Sequence, residues 1–422
     1  MGAVIIYDRR WTQRGPLALF DRVKTANTLI ISPASQFMSS SIWRQNASTG
    51  GDNVYWGTMG GVENVPADVE NSFILFCGNQ GINKAFVSWG QILQTWYGRT
   101  DRYVKSDFTI NYLGYWTDDG AYYFNIPEKG KNYQDTILDI NNYIKQLGVP
   151  VRYIQYDWWW YYYDKNHGVI TWEAKPSIFP DGLQWLYNKT ELPVLAHSMF
   201  WSSNTTYAKA NGGKYDFLIE GEKSLPLEEK FWNDLLADAR KWGLLVYEQD
   251  FLNIEFERVH KLWSDIDLGR QWLHQMGNGA AKNGLTLQYC MALPRNVLQA
   301  LEIPSCYTGP CQRRLHSQYG QLEGGRYVTV CVGSRHCTLQ GQLLDNQRSA
   351  WKPIPRCHGA EYGPERCGSN PQYRPSRSQR HGGVYKQDAY YEICQYGRPH
   401  LKAIPTSDGN RQHDKKARLA GL

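Results

Sequence analysis

From about residue 106 to residue 305 the chain repeats one grammar. A short β-branched or aromatic run is followed by a segment with apolar residues at helical spacing, then by a Gly- or Pro-marked stop. Residues 109–116, 151–157, 193–198, 244–250 and 285–291 read as strands. Between them, residues 133–147 carry Ile137, Ile140, Ile144 and Leu147 on one helical face and stop at Gly148-Val149-Pro150. Residues 227–242 carry Phe231, Leu235, Ala239 and Trp242 before Gly243, and residues 262–282 are mostly helical. Strands alternating with helices over this length predict an α/β fold with a parallel sheet, of the (β/α)8 TIM-barrel type. Five strands precede residue 305 and a sixth starts near Ile303, so the barrel is expected to be incomplete.

Residues 1–105 follow a different grammar. Short runs such as 28–32, 53–57 and 72–77 are rich in Val, Ile, Thr and aromatics and are punctuated by Gly, Ser and Asn. This predicts an antiparallel, β-sandwich-like domain. The chain opens inside that pattern, so part of a longer N-terminal region is expected ahead of it.

Composition changes abruptly at Cys306. Residues 306–422 hold 18 Lys+Arg and 8 Asp+Glu, a net of +10; of the whole chain's 46 and 40, residues 1–305 keep 28 and 32, a net of −4. Seven of the nine Cys (Cys306, Cys311, Cys331, Cys337, Cys357, Cys367, Cys394) lie in this tail, which has no Phe and one Trp, Trp351. A basic arm for nucleic acid is one reading. A zinc module is weaker, because no Cys pair has CxxC spacing. A shifted reading frame accounts better for the abruptness: codons for residues 306–334, read one nucleotide later, permit a stop-free string with acids and aromatics. The tail is therefore expected to be frame-shifted and poorly ordered.

Polar residues cluster where the predicted strands end, which in a barrel is the active-site face. They are Asp118 and Asp119 after Trp116-Thr117; Asp157 with Trp158 and Trp159; His197; Glu248 and Asp250; and Arg295. Carboxylates among Trp and Tyr suit a sugar: rings stack on its C–H face and carboxylates accept its hydroxyl hydrogens. Each has a plainer alternative. Trp158 and Trp159 could be core aromatics, Asp118-Asp119-Gly120 a solvated turn, and His197 a hydrogen-bonded strand end. Glu248 and Asp250 share one strand face behind Leu244-Leu245-Val246, and two acids there are hard to accommodate without a function.

At these residues the chain resembles the retaining glycoside hydrolases of the α-galactosidase and raffinose-synthase group. The likeness rests on Tyr153-Ile154-Gln155-Tyr156-Asp157-Trp158-Trp159 and Leu244-Leu245-Val246-Tyr247-Glu248-Gln249-Asp250, and on an Arg-x-Ser-Asp-Asp string in the shifted-frame segment. The family's Asp-Asp-Gly-Trp motif falls on Tyr156, Asp157, Trp158 and Trp159. In its Lys-x-Asp motif Asp250 takes the Asp place and Glu248 the Lys place, exchanging a cation for an acid. The resemblance implies Asp250 as nucleophile and Asp157 as acceptor of sugar hydroxyls, with Trp158 and Trp159 walling the pocket. His197 and Arg295 become further contacts, beside Asp118, Asp119 and Glu248. It implies an acid/base at the end of strand six, where Ser305-Cys306-Tyr307-Thr308-Gly309 offers none.

The resulting expectation is a glycosidase or transglycosidase lineage acting on α-linked sugars and impaired by that missing acid. A non-catalytic carbohydrate-binding protein and a nucleic-acid binder acting through the tail are the alternatives. A carbohydrate is the expected partner, with no cofactor, metal, nucleic acid or membrane; no run of about 18 apolar residues occurs. Three sequons (Asn46-Ala47-Ser48, Asn188-Lys189-Thr190, Asn204-Thr205-Thr206) point to a secreted or endomembrane lineage, although the first residues have too short an apolar stretch for a signal peptide.

Overall fold

In the computed structural model, residues 2–3, 15–21, 26–44, 53–99, 107–118, 121–303, 305–308 and 339–340 are described. The frame-shift expectation for 306–422 lies outside them apart from two short backbone segments. The strands are β1 (Gly2–Ala3), β2 (Leu17–Phe20), β3 (Thr28–Pro33), β4 (Ser40–Arg44), β5 (Val54–Thr58) and β6 (Phe73–Gly78) in the N-terminal part. There follow β7 (Leu113–Trp116), β8 (Val151–Tyr156), β9 (Tyr162–Tyr163), β10 (Val169–Thr171), β11 (Val194–Ser198) and β12 (Trp201–Ser202). The remainder are β13 (Phe217–Glu220), β14 (Lys223–Pro226), β15 (Leu244–Gln249), β16 (Thr286–Tyr289), β17 (Cys306–Thr308) and β18 (Leu339–Gln340).

The centre of the molecule is a parallel sheet ordered β17-β16-β15-β11-β8-β7-β18. Each strand from β7 to β17 in this sheet pairs with its predecessor, and each pair is parallel. Returning the chain to the same end each time needs a crossover, and helices supply it. Helix Tyr133–Leu147 shows how the sequence builds one. The Asn132 side chain accepts the Asp135 N–H at 2.8 Å as N-cap, and Gly148 takes the left-handed conformation (φ 66°) that ends it. Its buried face is Ile137, Ile140 and Ile144, as the spacing predicts, while Leu147 is exposed. Among the described residues β17 and β18 are the two edges and do not pair with each other, so the sheet is an open arc.

Helices Glu229–Lys241 and Leu268–Lys282 pack closely because Gly279 leaves room; a Cβ there would lie 2.7 Å from that of Trp232. The strand predicted over 109–116 is shorter than expected. Asp107 accepts the N–H groups of Thr109 and Ile110, and the cap turns Phe108–Asn111 into one helical turn before β7 begins.

Two features depart from the sequence reading. The N-terminal antiparallel sheet, β1-β2-β3-β6, is covered on one face by helix Ile82–Trp96, inside residues read as all-β. Ala85, Trp89 and Leu93, four residues apart, pack there with Ile30, Ile74 and Phe76. On the other face Leu17 and Ile31 meet Ile42 of the β4–β5 hairpin. Secondly, a five-stranded sheet, β13-β14-β12-β10-β9, is built from two insertions, β9 and β10 after β8 and β12 to β14 after β11. Its strands have two to four residues, too few for a period-two pattern to stand out.

Candidate active site

Strand register brings the polar ends onto one edge. Trp116 lies beside Gln155, Ala196 beside Tyr156, His197 beside Glu248, and Glu248 beside Gln288. The chain leaving β8 presents Asp157, β11 ends at His197, and β15 carries Glu248 with Asp250 just beyond it. Asp157, His197 and Glu248 are buried, whereas the Asp250 side chain is 13% exposed. Glu248 is thus the inner acid and Asp250 the outer one.

Hydrogen bonds lock the array from three strands. Gln155 Nε2 donates to Asp157 Oδ2 at 3.0 Å and to Glu248 Oε2 at 3.2 Å, while Gln288 Nε2 donates to Glu248 Oε1 at 3.0 Å. Gln155 is itself fixed, since its Oε1 accepts the Thr117 N–H at 3.0 Å. Asp157 Oδ1 accepts the Trp158 N–H at 2.8 Å. Asp250 Oδ1 accepts the Phe251 N–H at 2.5 Å, and its Oδ2 lies 3.0 Å from His197 Nε2. The far side of that imidazole, Nδ1, lies 3.0 Å from the Tyr161 hydroxyl.

Burial and crowding set the protonation. Burial pushes the Glu248 carboxyl up to about 7; Asp157 and Asp250 add to the rise, and His197 and the Gln155 amide oppose it. For His197, burial favours the neutral ring, but Asp157, the bonded Asp250 and Glu248 outweigh it and raise the imidazole to about 9. Cys290, after β16, has a thiol driven well above its ordinary range by burial and then by Asp250, Glu248 and Asp118. Asp118 therefore shares the field of this edge. A site with a protonatable inner acid, a partly buried outer acid and an imidazole can hold sugar hydroxyls, attack an electrophilic carbon, or store a proton. Among the described residues no group of three or more His, Cys, Asp or Glu is placed to hold a metal ion.

The predicted residues do not all meet here. Trp158 is half-buried, edge-on to Tyr163 and His167 at 5.0 and 4.9 Å, and can present a ring face near Asp157. Trp159 is in the core instead of the pocket wall: it stacks on Tyr133 at 3.7 Å with a 9° interplanar angle, and its Nε1 donates to Thr117 Oγ1. Two consecutive residues after a strand point apart, and burial claimed the second. Arg295 is likewise buried elsewhere. Its Nη1 donates to the Met38 carbonyl at 2.5 Å and lies 3.1 Å from Met59 Sδ, and its guanidinium sits 4.5 Å over the Phe256 ring. It fastens the N-terminal segment to helix Pro294–Gln299. Asp119 lies outside the described residues.

Gln155, Gln288, Thr117, Tyr161 and Cys290 belong to the site, though the sequence reading did not select them. Gln155 and Gln288 had a signal: each lies on the strand face that aims at the edge, as Glu248 does. Tyr161 had none, because it arrives from an irregular turn after β8.

No protein-family model and no curated protein matches this chain. Among solved structures it is similar to the alpha-galactosidase TtGalA from Thermus thermophilus in complex with stachyose, with 14% identity and a TM-score of 0.44, over 70% of this chain and 58% of that one. A quadruple mutant of the alpha-N-acetylgalactosaminidase NagBb from Bifidobacterium bifidum gives 9% identity and a TM-score of 0.47, over 73% and 56%. The alpha-galactosidase from Lactobacillus brevis gives 11% and 0.39, over 71% and 42%. The chain spans less than two thirds of the length of each.

Proposed function

We propose that this edge is the sugar site of a retaining glycosidase lineage acting on α-linked substrates, built on a (β/α)8 framework. One observation carries the reading: Asp157, His197, Glu248 and Asp250 converge from three adjacent strands at their C-terminal ends, with the half-buried Trp158 alongside. Asp250 takes the nucleophile role because it is the outermost acid. Its carboxylate attacks the anomeric carbon, the leaving group departs with the bonding electron pair, and water later hydrolyses the glycosyl ester. Asp157 accepts ring hydroxyls, Glu248 orients sugar and nucleophile from below, and Trp158 stacks on the ring.

A retaining enzyme also needs an acid/base roughly 5–5.5 Å from the nucleophile. The described residues at β17, Ser305 to Thr308, contribute no carboxyl. Natural glycosides, whose alkoxide leaving groups need a proton, should then turn over slowly. A 2,4-dinitrophenyl α-galactoside needs none. The expected result is release of dinitrophenolate by the full chain, its loss in Asp250→Ala, and partial recovery with azide, which replaces the missing nucleophile. Sugar binding by calorimetry without dinitrophenolate release would support the second reading, a carbohydrate-binding protein. Neither binding nor release would refute both.

A further inference from the structure

The Tyr161–His197–Asp250 chain holds one hydrogen-bond constraint that charge alone does not express. Tyr161 is fully buried, and its oxygen accepts the Met199 N–H at 3.1 Å. Its own hydrogen needs an acceptor, and among the described residues His197 Nδ1, 3.0 Å away, is the one within reach. The phenol cannot shed that hydrogen instead, because burial, with Asp157 adding to it, holds it well above its ordinary range. Nδ1 accepts only when it carries no proton. The ring's hydrogen is then on Nε2, aimed at Asp250 Oδ2 3.0 Å away.

We infer that Tyr161 is a positioning residue that holds His197 as the neutral, Nε2-protonated tautomer, so that Asp250 receives one fixed hydrogen bond. Donors and acceptors then match along the whole chain: Met199 N–H to Tyr161 oxygen, Tyr161 O–H to Nδ1, Nε2–H to Asp250. A cationic His197 would donate from both nitrogens and leave the Tyr161 hydrogen buried without an acceptor.

Two effects therefore oppose each other. Asp157 beyond β8, Glu248 on β15 and Asp250 just beyond it all draw a proton to the ring. Orphaning the phenol hydrogen costs enough to lower the ring's titration by about one to two pH units. From about 9, that leaves His197 neutral over part of the range just above pH 7. Tyr161 thus adjusts the imidazole of an acidic site, and Cys290, whose thiol lies in the same field, does not replace it.

The inference rests on the proposed function only for its consequence in turnover; the tautomer can be read without a substrate. Long-range nitrogen–proton NMR of the full-length protein, with the His197 signals assigned by their loss in His197→Gln, distinguishes the three ring states. The expected spectrum near pH 8 shows a protonated Nε2 and an unprotonated Nδ1. Tyr161→Phe should raise the apparent His197 titration midpoint by about one unit or more, since the phenol constraint is gone. A wild-type ring protonated on both nitrogens up to pH 9, or on Nδ1 alone, overturns the inference, as does a Tyr161→Phe midpoint that stays put. Should Tyr161→Phe fail to fold, 3-fluorotyrosine incorporation keeps the shape while strengthening the donor. The midpoint should then fall, and a rise would count against the assignment. Glycosidase activity enters none of these readouts, so a failed function test leaves them intact.

Discussion

Two buried glutamates on adjoining elements have opposite surroundings. Glu248 ends β15 and Glu255 lies in helix Leu252–Arg258, and burial drives both upward, to about 7 and about 8. Glu248 accepts amide hydrogens from two other strands and lies in the field of Asp157, Asp250 and His197. The two oxygens of Glu255 accept no hydrogen bond among the described residues. Its electrostatic partner is Lys223, whose Nζ rests 3.0 Å above the Phe200 ring and which burial pushes down to about 8. Burial alone thus perturbs Glu255 as strongly as the converging acids and imidazole perturb Glu248. Convergence of independent elements on one point is what separates a site from a buried acid that lacks hydrogen-bond partners.

The sharpest break in that comparison is kinetic. Asp250→Ala should lower dinitrophenyl glycoside turnover by about 10³-fold or more, because the proposed nucleophile is lost. Glu255→Gln should leave turnover near that of the parent protein. Equal losses in the two variants, measured side by side at one pH, would erase the distinction between the networked acid cluster and the isolated pair.

The next largest effect concerns stability. A carboxyl raised by folding contributes stability that is complete below its ordinary value and is lost as pH rises through the folded value. For Glu255 the window runs from 4.5 to about 8. Lys223 is depressed, so its share is present above 10.5 and lost as pH falls through about 8, outside that window. Glu255→Gln should remove the Glu255 slope, worth roughly 5 kcal/mol across the window. Melting temperatures of parent and variant at about pH 5 and pH 8 measure it. Parallel temperature differences at both values would mean that Glu255 is already solvated.

Much of this geometry was legible in the residues, and the limits are physical. Strands β8, β11, β15 and β16 were found to within two residues at each end, because runs such as Val194-Leu195-Ala196 are buried on both faces and stop at polar residues. Helix Tyr133–Leu147 matched at both ends because its caps are local. The direction of Trp159 was not legible: Trp158 and Trp159 are chemically identical, and the Tyr133 ring that claims the second comes from a distant helix. Arg295 reads as a sugar contact by type, but its destination is a carbonyl in the N-terminal segment, a long-range contact that no spacing rule encodes. Tyr161 escaped for the same reason, since its partner is 36 positions later.

A smaller effect should follow at Glu248 itself. Its window runs from 4.5 to about 7, narrower than that of Glu255. Glu248→Gln should flatten the stability profile there by roughly 3 kcal/mol. It should also weaken sugar binding several-fold while leaving measurable turnover, since Asp250 and His197 remain. Loss of all turnover in Glu248→Gln, with turnover kept in Asp250→Ala, would exchange the roles of the two acids.

The smallest expected effect tests the network rather than either acid. Gln288 donates to Glu248 Oε1 from β16, so Gln288→Leu removes one of the two amide hydrogens that favour the ionised carboxylate. Glu248 should then hold its proton to higher pH, and the upper end of its stability window should move up. The net cost of the lost bond is about 1 kcal/mol, because leucine fills the space and leaves no orphaned donor. The Glu255 window should not move, since Glu255 shares no hydrogen bond with Gln288 among the described residues. Two pH–melting profiles, Gln288→Leu alone and combined with Glu255→Gln, separate the two acids. If the Glu255 slope also changes in the single variant, the two glutamates titrate as one coupled unit, and the contrast between a networked acid and an orphaned one fails.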